Sequence, residues 1–263
     1  MKGIIFIALG ALAATACNAE PQPAANEGEP AQNAATSAPP SVQGKPIELR
    51  SESPLLTWEA SWPAEVNAIP ALEKLIREPA EKALADYTRD AREQKAQRDK
   101  DGFDFNPYMY ALLVEVTGQT PRLLSLTRNW MEFTGGAHPN RFSEALLWDK
   151  EANALVPLAK LLDGATLESL YRDNYCKALD KERAERREGL AVDMFNECPK
   201  FDELEIAPGG IQTGGPMTTL FFHADPYVAG PYVEGEYEVT LPVTAAFVAA
   251  LKPEYRSSFA AAR

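Results

Sequence analysis

The chain has 263 residues, with 38 acidic against 26 basic side chains and a net charge of −12. That balance argues against nucleic acid or an anionic membrane surface as partner, since both reward basic patches. The length suffices for one substantial hydrophobic core or two closely merged ones.

The first sixteen residues read as a signal peptide: Lys2 supplies positive charge, Gly3 to Ala13 is apolar, and small residues lead to Cys17. The apolar run is shorter than the roughly 20 residues a membrane-spanning helix needs. Leu12-Ala13-Ala14-Thr15-Ala16-Cys17 resembles a bacterial lipobox, in which the cysteine thiol takes a diacylglycerol and becomes the new amino terminus. Alanine three positions before the cysteine departs from the more usual leucine. Ordinary secretion with cleavage near Ala19 is the competing reading. Asn18 resembles the residue of lipoproteins sorted to an outer membrane, if the host is Gram-negative. The expected location is the cell envelope, lipid-anchored and facing the periplasm.

Residues 18–46 are built mainly from Ala, Pro, Asn, Gln, Glu, Ser and Gly without apolar periodicity, so with Cys17 they read as a disordered tether, 17–46. Such a segment reaches about 30 Å as a coil and about 90 Å if polyproline-like. Beyond it, Trp58–Trp62 alternates as a half-buried strand. Ile69, Leu72, Leu75 and Ile76 recur at helical spacing, with Pro79 expected to kink or restart the helix before Ala83, Leu84 and Tyr87. Arg89–Asp101 is almost wholly polar and reads as a solvated helix end and loop.

Tyr108–Val116, Leu123–Thr134 and Arg141–Trp148 are strand candidates joined by short turns, which predicts an antiparallel meander. Thr166–Glu188 carries an apolar helical face, with Gly189 as the expected C-cap. Phe201–Ile206, Thr218–His223 and Tyr237–Leu241 are further strands, and Thr244–Leu251 is a short helix. Helices in blocks around antiparallel sheets define α+β as the expected class. Cys176 and Cys198, separated in an oxidising compartment, are most simply a disulfide, contributing about 3 kcal/mol by loop closure. A metal pair or a redox dithiol competes, but no CxxC or histidine spacing supports either.

Catalytic signals are weak. His138 and His223 are the two histidines, and neither lies in an HxxxH-type metal pattern. Folding could still gather His138, His223 and Asp225. No GxSxG elbow or phosphate-binding glycine loop is present. Trp58, Trp62, Trp130 and Trp148 could line a saccharide face, although each lies in a strand candidate and core packing is the default reading. No catalytic residue, metal or cofactor is assigned.

Phe133-Thr134-Gly135-Gly136-Ala137-His138-Pro139-Asn140 resembles the GGAHP signature of the bacterial domain family of unknown function numbered 3298. Asp225-Pro226-Tyr227-Val228-Ala229-Gly230-Pro231, followed by the strand Tyr237–Pro242, resembles that family's closing pattern. The stretch from Trp58 to Leu126 resembles its usual amino-terminal partner, the domain numbered 4163, found also in PdaC deacetylases and in a lysozyme-sensing anti-sigma factor. The resemblance implies one compact α+β unit of two merged subdomains, residues 47–125 and 126–258. It also makes Gly135, Gly136, His138, Pro139, Tyr227 and Gly230 the candidate binding residues. In the deacetylases the chemistry resides on a separate domain, so the expectation is a non-enzymatic protein binding peptidoglycan or a muramidase-like (lysozyme-like) protein. An uncharacterised hydrolase or metal-dependent enzyme using His138 is the alternative, and a purely structural envelope protein a second.

Overall fold

The computed structural model describes residues 44–262 apart from 165, 191 and 211–213. The expected signal peptide, Cys17 and tether residues 18–43 lie outside the described residues. All described residues fall within one compact unit. The class is α+β, with two sheets and packed helices, as expected.

The larger sheet starts with β1 (Ile47–Glu52), a strand not expected from the sequence, antiparallel to β2 (Leu56–Trp62). Alternation in β2 puts Leu56, Trp58, Ala60 and Trp62 on the buried face. After the short α1 (Ala64–Asn67), the 32-residue α2 (Pro70–Asp101) carries the chain back, so that β3 (Tyr108–Gln119) pairs parallel to β2. A parallel pair needs such a crossover. β4 (Leu123–Phe133), β5 (Asn140–Asp149) and β6 (Ala154–Leu155) then form the antiparallel meander.

Two expectations for α2 are corrected. It does not restart at Pro79, which lies inside one continuous helix, and it continues across Arg89–Asp101 to Gly102, whose left-handed φ of 77° stops it. Ala91 is fully buried, and i,i+4 pairs such as Lys95–Asp99 support the polar last turns. The helix lies on the Trp58–Trp62 face, where Leu72, Ile76, Leu112 and Leu126 complete one core. Burial of each such side chain stabilises by about 1.5–3 kcal/mol.

The smaller sheet is an antiparallel meander of β7 (Glu205–Gly209), β8 (Thr219–Ala224) and β9 (Tyr237–Pro242). A 3₁₀ turn, Phe201–Glu203, occupies the first half of the strand expected over Phe201–Ile206. α3 (Leu167–Arg187) covers one face of this sheet, with Tyr171, Tyr175 and Leu179 packed against Leu220, Phe222 and Val239. Thr166 and Ser169 form its capping box. The left-handed C-cap is Glu188 (φ 47°) rather than Gly189, which follows at φ 85°. α4 (Ala245–Ala250) closes this second core through Phe247. Cys176 on α3 bonds Cys198 across 22 positions, with Cα atoms 5.4 Å apart, so the expected disulfide is present.

The two sheets meet at the far end of β3, β4 and β5. Thr117 Oγ1 donates to the Pro208 carbonyl at 2.8 Å, and Gly210 N–H donates to the Thr117 carbonyl at 3.2 Å. A Cβ on Gly209 would lie 2.6 Å from that Thr117 oxygen, so the close approach requires glycine there. Leu123 and Leu147 belong to the α3 core while Leu124 and Leu146 belong to the α2 core. Here the larger sheet is covered on both faces. Farther along, the sheets diverge.

Candidate functional site

Divergence leaves a cleft of about 1610 Å³ between the uncovered face of the larger sheet and the outer face of the smaller one. Strand register builds its floor. Glu48, Ser61, Leu113, Asn129 and Ser143 stand side by side on β1 to β5, and Arg50, Glu59, Ala111, Met131 and Arg141 form the next row. The opposite wall carries Glu205, His223 and Glu238, paired in register across β7, β8 and β9.

The cleft is acidic: eight glutamates line it (48, 59, 115, 144, 205, 234, 236 and 238) against three arginines (50, 141 and 186). Two of the arginines are engaged. Arg50 pairs with Glu52 and Glu59, and Arg186 pairs with Glu182 while donating to the Glu234 and Glu236 carbonyls. Among the described residues, five of these glutamates, Glu48, Glu115, Glu205, Glu236 and Glu238, make no ion pair, and neither does Arg141.

At the inner wall three side chains of the smaller sheet and its following turn grip the outer edge of β5. Glu205 Oε2 accepts from Ala145 N–H at 2.8 Å, and Asp225 Oδ2 accepts from Ser143 N–H at 3.3 Å. His223 Nε2 lies 2.8 Å from Ser143 Oγ and 3.1 Å from Asp225 Oδ1. The result is a capped edge strand, whose free N–H groups would otherwise seek another chain. Burial pushes the Glu205 carboxyl above its ordinary range; the Ala145 N–H opposes this, and the charges of Glu144 and Asp225 add to it.

Ser143, His223 and Asp225 do not make a nucleophilic triad. A triad needs the carboxylate on Nδ1 and the hydroxyl on Nε2. Here both partners meet the same nitrogen, so Asp225 does not orient the ring through Nδ1 for Nε2 to act on Ser143.

The residues of the GGAHP motif form the tip of the β4–β5 hairpin. Gly135 adopts φ 84°, which only glycine takes easily. His138 stacks on Tyr232, with ring centroids 3.7 Å apart, and Tyr232 O–H donates to the Pro139 carbonyl at 2.5 Å. His138 Nδ1 lies 3.0 Å from the same carbonyl, which can only accept, so Nδ1 carries the proton. Nε2 is then the acceptor for Tyr227 O–H at 3.4 Å. The structure thus brings together the two sequence motifs, GGAHP and the tyrosine loop. His138 is used up by tyrosines and a carbonyl and faces no carboxylate partner, whereas His223 lies against Ser143 and Asp225. Among the described residues no group of three or more His, Cys, Asp or Glu side chains is placed to hold a metal ion.

The loop bearing these tyrosines is clamped by arginines of α3. Arg183, 3% exposed, donates to the Ala229 and Glu197 carbonyls, both at 2.9 Å. Arg187 binds Glu234 through Nε at 2.9 Å and Nη2 at 3.1 Å. That fork, opposed by burial and aided by Tyr237, holds the Glu234 carboxyl below its usual range. Gly230 sits under this network: a Cβ there would be 2.4 Å from Glu234 Oε2. Ser143, Glu205, Tyr232 and Glu238 were not singled out from sequence. Their only signal was strand alternation, or nearness to the Tyr227–Pro231 loop.

Residues 49–141 match the family model described as "Deacetylase PdaC", a span that ends just past the GGAHP tip. Over those residues the chain matches a PdaC-type domain, as the resemblance implied. A DUF3298 family protein of Pseudomonas aeruginosa PAO1 is similar in structure, with TM-score 0.48 and 16% identity, covering 84% of this chain and 98% of its own. A DUF3298 family member from Bacteroides fragilis NCTC 9343 gives TM-score 0.48 and 18% identity, covering 77% and 90%. No curated protein matches the chain significantly.

Proposed function

We propose that the chain is a non-enzymatic envelope protein, lipid-anchored through Cys17 and facing the periplasm, whose inter-sheet cleft receives a cationic protein partner of the muramidase class. The carrying observation is the excess of glutamates along the cleft, five of them without ion pairs among the described residues. Like charges held on two facing walls attract a basic partner and repel acidic ones. The geometry at Ser143, His223 and Asp225 speaks against hydrolase chemistry there, and the His138 surroundings speak against a metal-dependent reaction at the hairpin tip. No helix of the described residues is long and apolar enough to cross a membrane. In this reading acyl chains on Cys17 attach the protein to the membrane.

The test is a pull-down by the full chain in detergent, offered a basic muramidase and isolated peptidoglycan at low and high salt. Muramidase retention that falls as salt screens the cleft supports the reading. Retention of peptidoglycan alone transfers the cleft to a glycan ligand, and retention of neither removes the proposal. Anchoring is checked separately: Cys17→Ala should move the protein from the membrane to the soluble fraction.

A further inference from the structure

The rim of the cleft carries a feature that the edge-capping contacts do not explain. Tyr227 is 55% exposed, and its φ of 75° is a conformation that side chains other than glycine and asparagine rarely take. Its ring lies 5.8 Å from Tyr232, which stacks on His138, so three rings form a continuous platform. Val233 beside it is 91% exposed. Folding gains little from an aromatic side chain held in solvent on a strained backbone; such strain persists where the surrounding structure enforces it, and it clusters at binding sites. Here the enforcement is visible. The Tyr227 N–H donates to the Gly230 carbonyl, Val228 N–H donates to the Asp225 carbonyl, and Arg183 pins Ala229.

Tyr232 and Val233 line the same cleft as Glu236 and Glu238, which have no ion-pair partners among the described residues. A tyrosine face attracts a cation through its quadrupole, and carboxylates lining the same cleft add a second attraction for a basic polypeptide. Arginine suits this combination better than lysine, because its planar guanidinium can stack on a ring while its edge binds a carboxylate. We infer that Tyr227 and Tyr232 form an anchor site for an arginine side chain of a basic polypeptide entering the cleft. This assignment rests on the cationic-partner reading of the cleft and adds where and by what chemistry the partner is held.

Glycine is the informative substitution at 227, since it deletes the ring while suiting the positive φ, so the fold should be kept. Affinity of the full chain for a hexa-arginine peptide and for a basic muramidase is measured by fluorescence anisotropy for wild type, Tyr227→Gly and Tyr227→Phe. The expected result is a loss of roughly three- to thirtyfold in peptide affinity for Tyr227→Gly. Tyr227→Phe should stay within about twofold of wild type, because the ring face remains. Equal peptide affinity of wild type and Tyr227→Gly overturns the assignment. So does a Tyr227→Phe loss as large as that of Tyr227→Gly, since the hydroxyl would then be what matters. Wild type that binds muramidase but not the peptide overturns the anchor and leaves the cleft reading standing. Wild type that binds neither overturns both.

Discussion

Replacing Gly230 by alanine should destabilise the protein through a contact three residues wide. The added Cβ would lie 2.4 Å from Glu234 Oε2 and 2.7 Å from Tyr237 Cε2. Neither neighbour can yield freely. The Glu234 carboxylate accepts from Arg187 at two nitrogens and from Tyr237 O–H at 2.5 Å, and the Arg187 and Glu234 side chains are only 10% and 11% exposed. Overpacking of this kind costs about 1–3 kcal/mol. Complete removal of one partner from a buried pair costs about 3–5 kcal/mol, of which a displaced but surviving Glu234 loses a part. The expected total is about 2–4 kcal/mol. For a folded region of this size each kcal/mol moves the midpoint by about 2–4 °C, so Tm should fall by roughly 4–16 °C. Calorimetry of Gly230→Ala beside Gly136→Ala provides the comparison, because nothing lies within 4 Å of a Cβ at 136. The control should stay within about 0.5 kcal/mol of wild type. A Gly230→Ala midpoint equal to that of the control would refute the packing argument for this loop.

Other outcomes follow from the same structure. Asp149 accepts from Arg122, from Tyr255 O–H at 3.0 Å and from the Glu151 and Ala152 N–H groups; Asp149→Asn should cost about 3–5 kcal/mol by chemical denaturation. Burial pushes the Asp149 carboxyl up, but Arg122 and the other donors overcome it and hold the group below its ordinary range. Its stabilisation, and that of Glu234, is therefore present at neutral pH and should be lost as pH falls below about 4 through the folded-state values. Glu205 has the opposite sign: its raised carboxyl favours the protonated form, so its contribution declines as pH rises through the folded-state value. Glu205→Gln should therefore match or exceed wild type in Tm at pH 7, with the advantage shrinking toward pH 4, and a large loss at pH 7 would contradict the burial argument. Reduction of the Cys176–Cys198 bond should cost about 3 kcal/mol, and Cys198→Ser should abolish the sensitivity of Tm to reductant.

The parts legible in the sequence were those dictated by local periodicity. Trp58–Trp62 alternates because only one face of β2 meets α2, and α3 announces itself through Tyr171, Tyr175 and Leu179 at helical spacing. The disulfide followed from two otherwise unexplained cysteines. Arg89–Asp101 misled because ion pairs between helical neighbours stabilise polar turns without any apolar stripe, and Ala91 alone marks the buried side. Pro79 misled because proline's penalty is real but can be outweighed by packing on both sides, here Ile76 and Ala80. For the cleft, sequence supplied the tip residues His138 and Tyr227 but not their partners. The meeting of Ser143 with His223, or of Ala145 with Glu205, depends on how two sheets cross. No spacing along the chain encodes that crossing.

Hydrogen exchange of the full chain with and without a saturating basic muramidase would show whether a partner occupies the cleft. New protection is expected along the cleft, in β3 to β5 around Leu113, Asn129 and Ser143 and in the loop from Pro226 to Glu238, with the outer surface of α2 unchanged. Protection confined to α2, or no change under saturating partner, would contradict the cleft reading.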